Sequence, residues 1–364
     1  MGDRQGGNEM LDIKIVKTTH PKPKPADESK LGFGKIFTDH MFIAEYEEGK
    51  GWHDARIVPY GPIELDPSLM TLHYGQSIFE GLKAYRGVDG EIRLFRPEKN
   101  FERLNYSAER MCLPSIDPDF AVQALKTLVT LDQEWIPHAD GTSLYLRPFM
   151  FGVDQYVGVH PSNRVYFMII CSPVAAYYPT GLDPVKIIVE QKYVRAVKGG
   201  TGYIKTAANY AQSLKAQQEA EEKNYSQVLW LDGVHHKYIE EVGTMNIFFV
   251  FDDEIVTPAL NGSILSGITR MSCIEILKEW NLPIVERQIS IDEVVEAAQN
   301  GRLKECFGSG TAAVISPVGE LMVGEHKIVI NNGNIGSLSQ RLYDNLTGIQ
   351  WGKTEDKLNW IQKL

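Results

Sequence analysis

The spacing of hydrophobic positions changes repeatedly along this chain, and each change predicts a different element. In "HMFIAEYEEGKGWHDARIVPYGPIEL", short apolar runs flank a glycine-bearing turn and predict strands. "LKAYRGVDGEIRLFRP" predicts a hairpin that turns at Asp89-Gly90. Asn100 is then placed to cap a helix with Leu104, Ala108 and Met111 on its apolar face. A second helix carries Phe120, Ala124, Leu125, Leu128 and Leu131. "SLYLRPFMFG" and "RVYFMIICSPV" read as strands.

Turn formers interrupt the apolar runs at "AAYYPTGLDP", residues 175–184. Beyond it, "VKIIVEQKYVRA" opens with a strand and "YAQSLKAQQEAEEKNY" is a helix with a charged, exposed end. "QVLWLDGVHHKYIEEVGTMNIFFVFDDEIVTP" predicts strands, turning at Asp232-Gly233 and Asp252-Asp253. "TRMSCIEILKEW" is a helix preceded by the loop "LNGSILSG". A last helix repeats Leu338, Leu342 and Leu346, with Gly348 able to close it. The expected organisation is a polar, extended arm over 1–30, a smaller domain over 31–174, a linker over 175–184 and a larger domain over 185–364. Both domains read as α+β or mixed α/β, with no internal repeat and no GxGxxG fingerprint after a strand.

Composition narrows the function classes. A chain of 364 residues exceeds one comfortable core, and 43% hydrophobic with 23% charged residues is ordinary globular content. A formal charge of -10 argues against a nucleic-acid footprint. Cys112, Cys171, Cys273 and Cys306 form no metal-ligand or disulfide pattern, which suits a reducing compartment. The longest apolar run, "VYFMIIC", is far short of a membrane span, and the N-terminus lacks signal or transit character. The expected setting is cytoplasmic, with no membrane partner.

Four features could carry chemistry, and each also fits an ordinary role. In "GGTGYIKTAANY", Lys205 stands where a glycine-rich turn enters a helix; a nucleophilic lysine needs such restriction, but so does a plain loop. Arg103 would sit in the first turn of its helix, where an anion would offset the unfavourable dipole, or it pairs with a nearby glutamate. "SILSGITR" and "FGSGTAA" suit phosphate-binding backbone donors or simple caps. In "YIEEVGTMN", strand alternation should turn one of Glu240 and Glu241 inward and leave the other in solvent. Taken together, a lysine, a phosphate cup, an aromatic hydroxyl and a carboxylate are the parts that pyridoxal phosphate requires.

Seven segments carry a family resemblance, in order: "LHYGQSIFEGLKAYRG", "LFRPEKNFERL", "GTSLYLRPFMFG", "YVRAVKGGTGYIKTAANYA", "IEEVGTMNIFFV", "LSGITR" and "FGSGTAA". From Phe33 to the C-terminus, the chain resembles the branched-chain-amino-acid aminotransferases, two-domain pyridoxal-phosphate enzymes of fold type IV. The resemblance implies that Lys205 is the Schiff-base lysine, that Tyr210 meets the ring hydroxyl and that Glu241 meets the pyridine nitrogen. It assigns Arg103, Ile268, Thr269 and Thr311 to the phosphate. Tyr74, Arg147, Thr244 and Ala312 fall where the family handles substrate carboxylates. Phe33, Tyr145, Tyr177, Val157 and Val159 match the apolar side-chain pocket, with Val157 and Val159 reaching in from a neighbouring subunit; Tyr178 competes with Tyr177 for its place. Ala313 and Ser316 stand where mammalian members carry a redox CxxC.

The implied reaction is reversible amino transfer from L-leucine, L-isoleucine or L-valine to 2-oxoglutarate, giving branched 2-oxo acids and L-glutamate, with pyridoxamine phosphate as the intermediate cofactor form. A homodimer is implied. A D-amino-acid aminotransferase or an aminodeoxychorismate lyase would share the fold and the lysine, and a non-catalytic binding protein is the reading from another class.

Overall fold

A computed structural model describes residues 11–177 and 182–364. Tyr178 and part of the expected linker, 178–181, lie outside the described residues, as do residues 1–10 of the expected arm.

Two nine-stranded sheets organise the described residues. In the first, the neighbours run Lys14–Ile15, Gly51–Pro59, His40–Glu47, Arg164–Val174, Ser143–Gly152, Leu82–Arg86, Ile92–Phe95 and Ile361–Lys363, with Ser77–Phe79 added against Ser143–Gly152. Apart from its edge strand Lys14–Ile15, which runs parallel to Gly51–Pro59, the pairings are antiparallel. Such sheets form by hairpins between consecutive strands, and the one predicted at Asp89-Gly90 closes with Gly87 N–H donating to Glu91 O at 2.8 Å. Helices Pro97–Arg110 and Pro118–Leu131 lay Phe101, Leu104, Phe120, Leu125 and Leu128 against Phe42, Leu94, Leu144 and Phe167 of the sheet. Each such side chain contributes about 1.5–3 kcal/mol relative to exposure.

The second sheet is mixed. Val185–Val189 lies between Gln227–Leu231 and Val314–Val323, parallel to both, and antiparallel neighbours extend it through Glu305–Gly310 and Asn246–Val250. Helix Ile291–Gln299 covers one face with Val294 and Ala297. Helices Ile268–Glu279 and Ser337–Gln350 cover the other face, in a cluster that also takes in Tyr85, Phe95 and Trp360. That shared cluster fastens the sheets together, and the C-terminal strand returns to pair with Ile92–Phe95.

Three local expectations change. Asn100 does not cap its helix: the helix starts at Pro97, and Asn100 is buried within it, donating to Glu80 Oε2 at 2.8 Å. Arg103 therefore falls in the second turn. Gly348 does not close the last helix, which runs on to Gln350. A Cβ at Gly348 would come 2.2 Å from Thr354 Oγ1, so the glycine admits the returning chain. Residues 11–30 are pinned rather than a free arm: Lys14–Ile15 joins the first sheet, Glu28–Lys30 forms a single 3-10 turn, Thr18 N–H donates to His40 Nε2 at 2.9 Å, and Lys22 Nζ donates to the Phe37 and Thr38 carbonyls at 2.8 and 2.6 Å.

Candidate active site

Lys205 ends the turn that precedes helix Ala207–Glu222, for which Thr206 is the extended cap residue. Its backbone is gripped by the first sheet and its helices. Its N–H donates to Ser107 Oγ at 3.1 Å, its carbonyl accepts from Phe79 N–H at 3.0 Å, and Thr206 Oγ1 donates to Ser77 O at 2.7 Å. Asn209 Nδ2 donates to Thr201 O and Ile204 O at 2.8 and 2.9 Å, which ties the turn to the helix. Gly202 belongs there because a Cβ would lie 2.2 Å from Ala196 Cβ and 2.3 Å from Ser263 O. So held, the Lys205 amine donates to Tyr210 Oη at 2.6 Å and lies 4.8 Å over the Phe79 ring.

This amine opens into a cavity of about 210 Å³. Phe33, Tyr145, Arg147, Tyr177, Tyr210, Thr244, Thr311 and Ala312, all singled out from the sequence, line it. Arg147 stacks 4.7 Å from the Phe79 ring and donates from Nη2 to Tyr145 Oη at 3.0 Å; its buried Nε has no hydrogen-bond partner among the described residues. Gly81 lets Tyr145 close in, since a Cβ there would sit 2.1 Å from Tyr145 Oη.

A smaller pocket adjoins, lined by Tyr210, Thr244, Glu241, Arg195 and Leu265. Both glutamates of the pair are buried, 3% exposed each, so the expectation that one faces solvent is corrected. Strand alternation does separate them, but the loop 261–265 covers Glu240, which accepts from Ser263 Oγ and from Asn261 Nδ2. Glu241 accepts from Leu265 N–H at 2.7 Å and pairs with Arg195 Nε at 3.3 Å. Burial pushes the Glu241 carboxyl up; Arg195 and the Leu265 N–H oppose that, and Glu240 adds to it.

Arg103 sits across the site, in a fork with buried Glu80: Nε to Oε1 and Nη2 to Oε2, both 2.8 Å. Desolvation is the largest single influence and works against its charge, but Glu80, aided by Tyr210 and Tyr145, raises the guanidinium above its ordinary value. Its Nη1 donates to Ser266 O at 3.0 Å, one residue before Gly267, which heads helix Ile268–Glu279 with no side-chain cap. Ile268 and Thr269 are thus the first residues of an uncapped helix beside a fixed arginine, a donor set suited to a phosphate dianion. Thr311 Oγ1 donates to Gly81 O at 3.3 Å.

Of the residues matched to the substrate, three stand outside the cavity. Tyr74, Val157 and Val159 are 42%, 60% and 80% exposed. Tyr74 ends helix Met70–Tyr74, whose start is tied to the loop bearing the valines through Met70 N–H to Asp154 O at 3.2 Å. Conversely, Phe79, Gln227 and Met245 line the cavity, and Glu80 and Arg195 orient its charged groups, although none of them was singled out from the sequence; all but Gln227 lie in the segments that carry the resemblance. Among the described residues no cluster suits a metal ion, and no helix is long and apolar enough to cross a membrane.

The family model for amino-transferase class IV matches residues 77–321, about two thirds of the chain. The chain belongs to the class IV aminotransferases. This class IV chain is 57% identical over 352 residues to branched-chain-amino-acid aminotransferase 2 of Bacillus subtilis (strain 168), with 97% of each covered. Its fold is similar to the branched-chain amino acid aminotransferase of Escherichia coli, with a TM-score of 0.74 and 27% identity over 89% of this chain and 98% of that one. It is also similar to the T.th. branched-chain amino acid aminotransferase complexed with N-(5'-phosphopyridoxyl)-L-glutamate, at TM-score 0.71 and 25% identity, covering 88% of this chain and 97% of that one.

Proposed function

We propose that this class IV enzyme is a pyridoxal-phosphate-dependent branched-chain-amino-acid aminotransferase, exchanging the amino group of L-leucine, L-isoleucine or L-valine with 2-oxoglutarate. One observation carries the reading: a fixed lysine amine opens into a cavity whose wall combines Phe33, Phe79, Tyr145, Tyr177 and Met245 with Arg147, whose buried Nε has no hydrogen-bond partner among the described residues. The near-full-length identity to a branched-chain enzyme supports it.

The residues fit the cofactor. Arg103, Thr311 and the uncapped helix start at Ile268 and Thr269 would hold its phosphate, Tyr210 its ring hydroxyl and Glu241 its ring nitrogen. When bound, pyridoxal phosphate supplies an electron sink that makes the substrate α-proton removable. Lys205 takes that proton as general base and returns it as general acid, and Tyr210, 2.6 Å away, orients the amine for both steps. Buried Glu241, steadied by Arg195, would favour a positive charge at the ring nitrogen when the cofactor is bound.

Phe33, Tyr145 and Tyr177 exclude water from a branched aliphatic chain. Arg147 meets the second carboxylate of 2-oxoglutarate or L-glutamate, with Thr244 and Ala312 beside the α-carboxylate. A second copy of the chain supplies the remaining wall: exposed Val157 and Val159, and with them Tyr74 and Leu72, form an apolar surface that a homodimer would cover. A cytoplasmic setting fits this chemistry.

Purified protein loaded with pyridoxal phosphate tests the reading. The wild type should show a visible absorbance band that L-leucine bleaches and 2-oxoglutarate restores. Lys205→Ala should stay folded yet lose that band and all measurable turnover. A wild-type band indifferent to L-leucine would refute the assignment.

A further inference from the structure

Lys83 is a buried cation that the mechanism above leaves without a task. It lies on strand Leu82–Arg86 directly opposite Tyr145 of Ser143–Gly152, so the two side chains leave the same face of the sheet. It is 7% exposed, and its hydrogen-bond partner among the described residues is the Ala312 carbonyl, 2.8 Å from Nζ and 229 residues away in the chain. Burial alone lowers its ammonium to about 8. A buried cation with no ion pair costs stability, and an apolar side chain of similar length would fill the same space without that cost.

The contact has a neighbour. Two residues earlier, Gly81 O accepts from Thr311 Oγ1 at 3.3 Å. Residues 81 and 83 thus hold residues 311 and 312, reaching from the first sheet to the turn that follows Glu305–Gly310 of the second. Ala312 and Ala313 both line the cavity. Because a trans peptide is planar, fixing the Ala312 carbonyl also fixes the opposed N–H of Ala313.

We propose that Lys83 is a positioning residue for carboxylate recognition: it locks the Thr311–Ala313 turn so that the turn's backbone donors are preset for the α-carboxylate of the substrate. Its charge also adds positive potential on the side of the cavity where that carboxylate binds. The inference rests on the reading of this cavity as the site for branched amino and oxo acids. It separates Lys83 from Arg103, which is held by Glu80 at the phosphate donors.

Holoenzyme titrated with 4-methylvaleric acid, an apolar monocarboxylate, tests the proposal beside an independent measurement of pyridoxal-phosphate affinity. Lys83→Met should weaken the acid about tenfold to a hundredfold, the range for losing a hydrogen bond to a charged group. Cofactor affinity should hold within about threefold, and KM for L-leucine should rise more than kcat falls. Lys83→Arg, which restores charge and donor, should recover most of the acid affinity. Lys83→Gln, milder to the fold, should lie between wild type and Lys83→Met and is read in the same way if the methionine variant is insoluble. Unchanged acid affinity in Lys83→Met and Lys83→Gln overturns the role of Lys83 alone, as does an equal loss of acid and cofactor affinity. A wild-type enzyme that does not bind the acid overturns the functional reading itself, and this inference with it.

Discussion

The two parts of the proposed site are built in opposite ways. In one part, charged and polar groups are braced from several elements of the same chain: Glu80 forks Arg103, Arg195 and Leu265 hold Glu241, and the helix Pro97–Arg110 and the first sheet grip the two sides of Lys205. In the other part, Tyr74, Val157 and Val159 project from the Met70–Tyr74 helix and its neighbouring loop into solvent. Buried charges need polar partners within the chain that buries them, whether an ion pair as for Arg103 and Glu241 or a carbonyl as for Lys83, because breaking such a partnership costs several kcal/mol. Apolar side chains carry no such demand and can stand in solvent until the second copy proposed above covers them. The contrast predicts that damage at the braced part strikes chemistry and cofactor retention, and damage at the open part strikes substrate affinity.

The largest effect that would sharpen this contrast is at Glu241. Glu241→Gln removes the charge facing the proposed ring nitrogen and should slow single-turnover bleaching by L-leucine about a hundred- to a thousandfold. Glu240→Gln should slow it far less, but through the loop 261–265 rather than through solvent exposure, and stopped-flow absorbance separates the two. Next comes the Arg103 fork: Glu80→Ala leaves a buried guanidinium half-paired and should weaken pyridoxal-phosphate binding about tenfold to a hundredfold by equilibrium dialysis. Unchanged affinity would show that Arg103 needs no brace.

Much of the braced part was legible in the sequence. Lys205, Tyr210, Glu241 and Arg103 stand in segments whose resemblance is specific, and the structure brings all but Arg103 to the walls of the cavity or its adjoining pocket, with Arg103 beside the helix start. What stabilises them was not legible. Asn100 looks like a helix cap because a cap and a buried amide share the same local signal; its partner, Glu80, is 20 residues away. Glu240 looks solvent-facing because alternation describes one strand and says nothing of the loop that covers its far side. Phe79 and Met245 are ordinary apolar residues until the fold places them on the cavity.

Smaller effects belong to the open part and to the periphery. The loop bearing the valines is tied at its base by Asp154, which accepts from Asn163 and Arg164 N–H at 2.9 and 2.8 Å and meets His160 Nε2 at 3.0 Å. The Gly158 carbonyl and the Asp154 carboxylate raise the His160 imidazole above its ordinary value. For a raised folded-state value, the stabilisation is fully present below the ordinary 6.5 and is lost as pH rises through the folded value. KM for L-leucine should therefore drift upward over that window by less than about threefold, as expected for an exposed pair. His160→Gln should flatten the drift; an unchanged drift would detach the loop from the effect.

Asp232 gives a control remote from both parts. It accepts from four backbone N–H groups, of Val234, His235, Lys237 and Tyr238. Burial opposes its charge, but those donors win and lower its carboxyl to about 2. Its stabilisation is present above the ordinary carboxylate range and disappears as pH falls through about 2. Asp232→Ala should cost about 1–3 kcal/mol of stability in denaturant melts at neutral pH, with the L-leucine KM unmoved.

Subunit complementation tests the contrast most directly. Lys205→Ala disables the braced part, and the double variant Tyr74→Ala/Val159→Ala disables the open part. If each site joins the braced part of one copy to the open part of another, mixed dimers hold one intact site built from the sound half of each chain. Unfolding and refolding the two variants together should then restore about a quarter of wild-type activity, assayed at L-leucine well below the KM of the double variant, since half the dimers are hybrids with one good site each. Hybrids that form and yet show only the summed activity of the separate variants would contradict the account, because each site would then belong to a single chain.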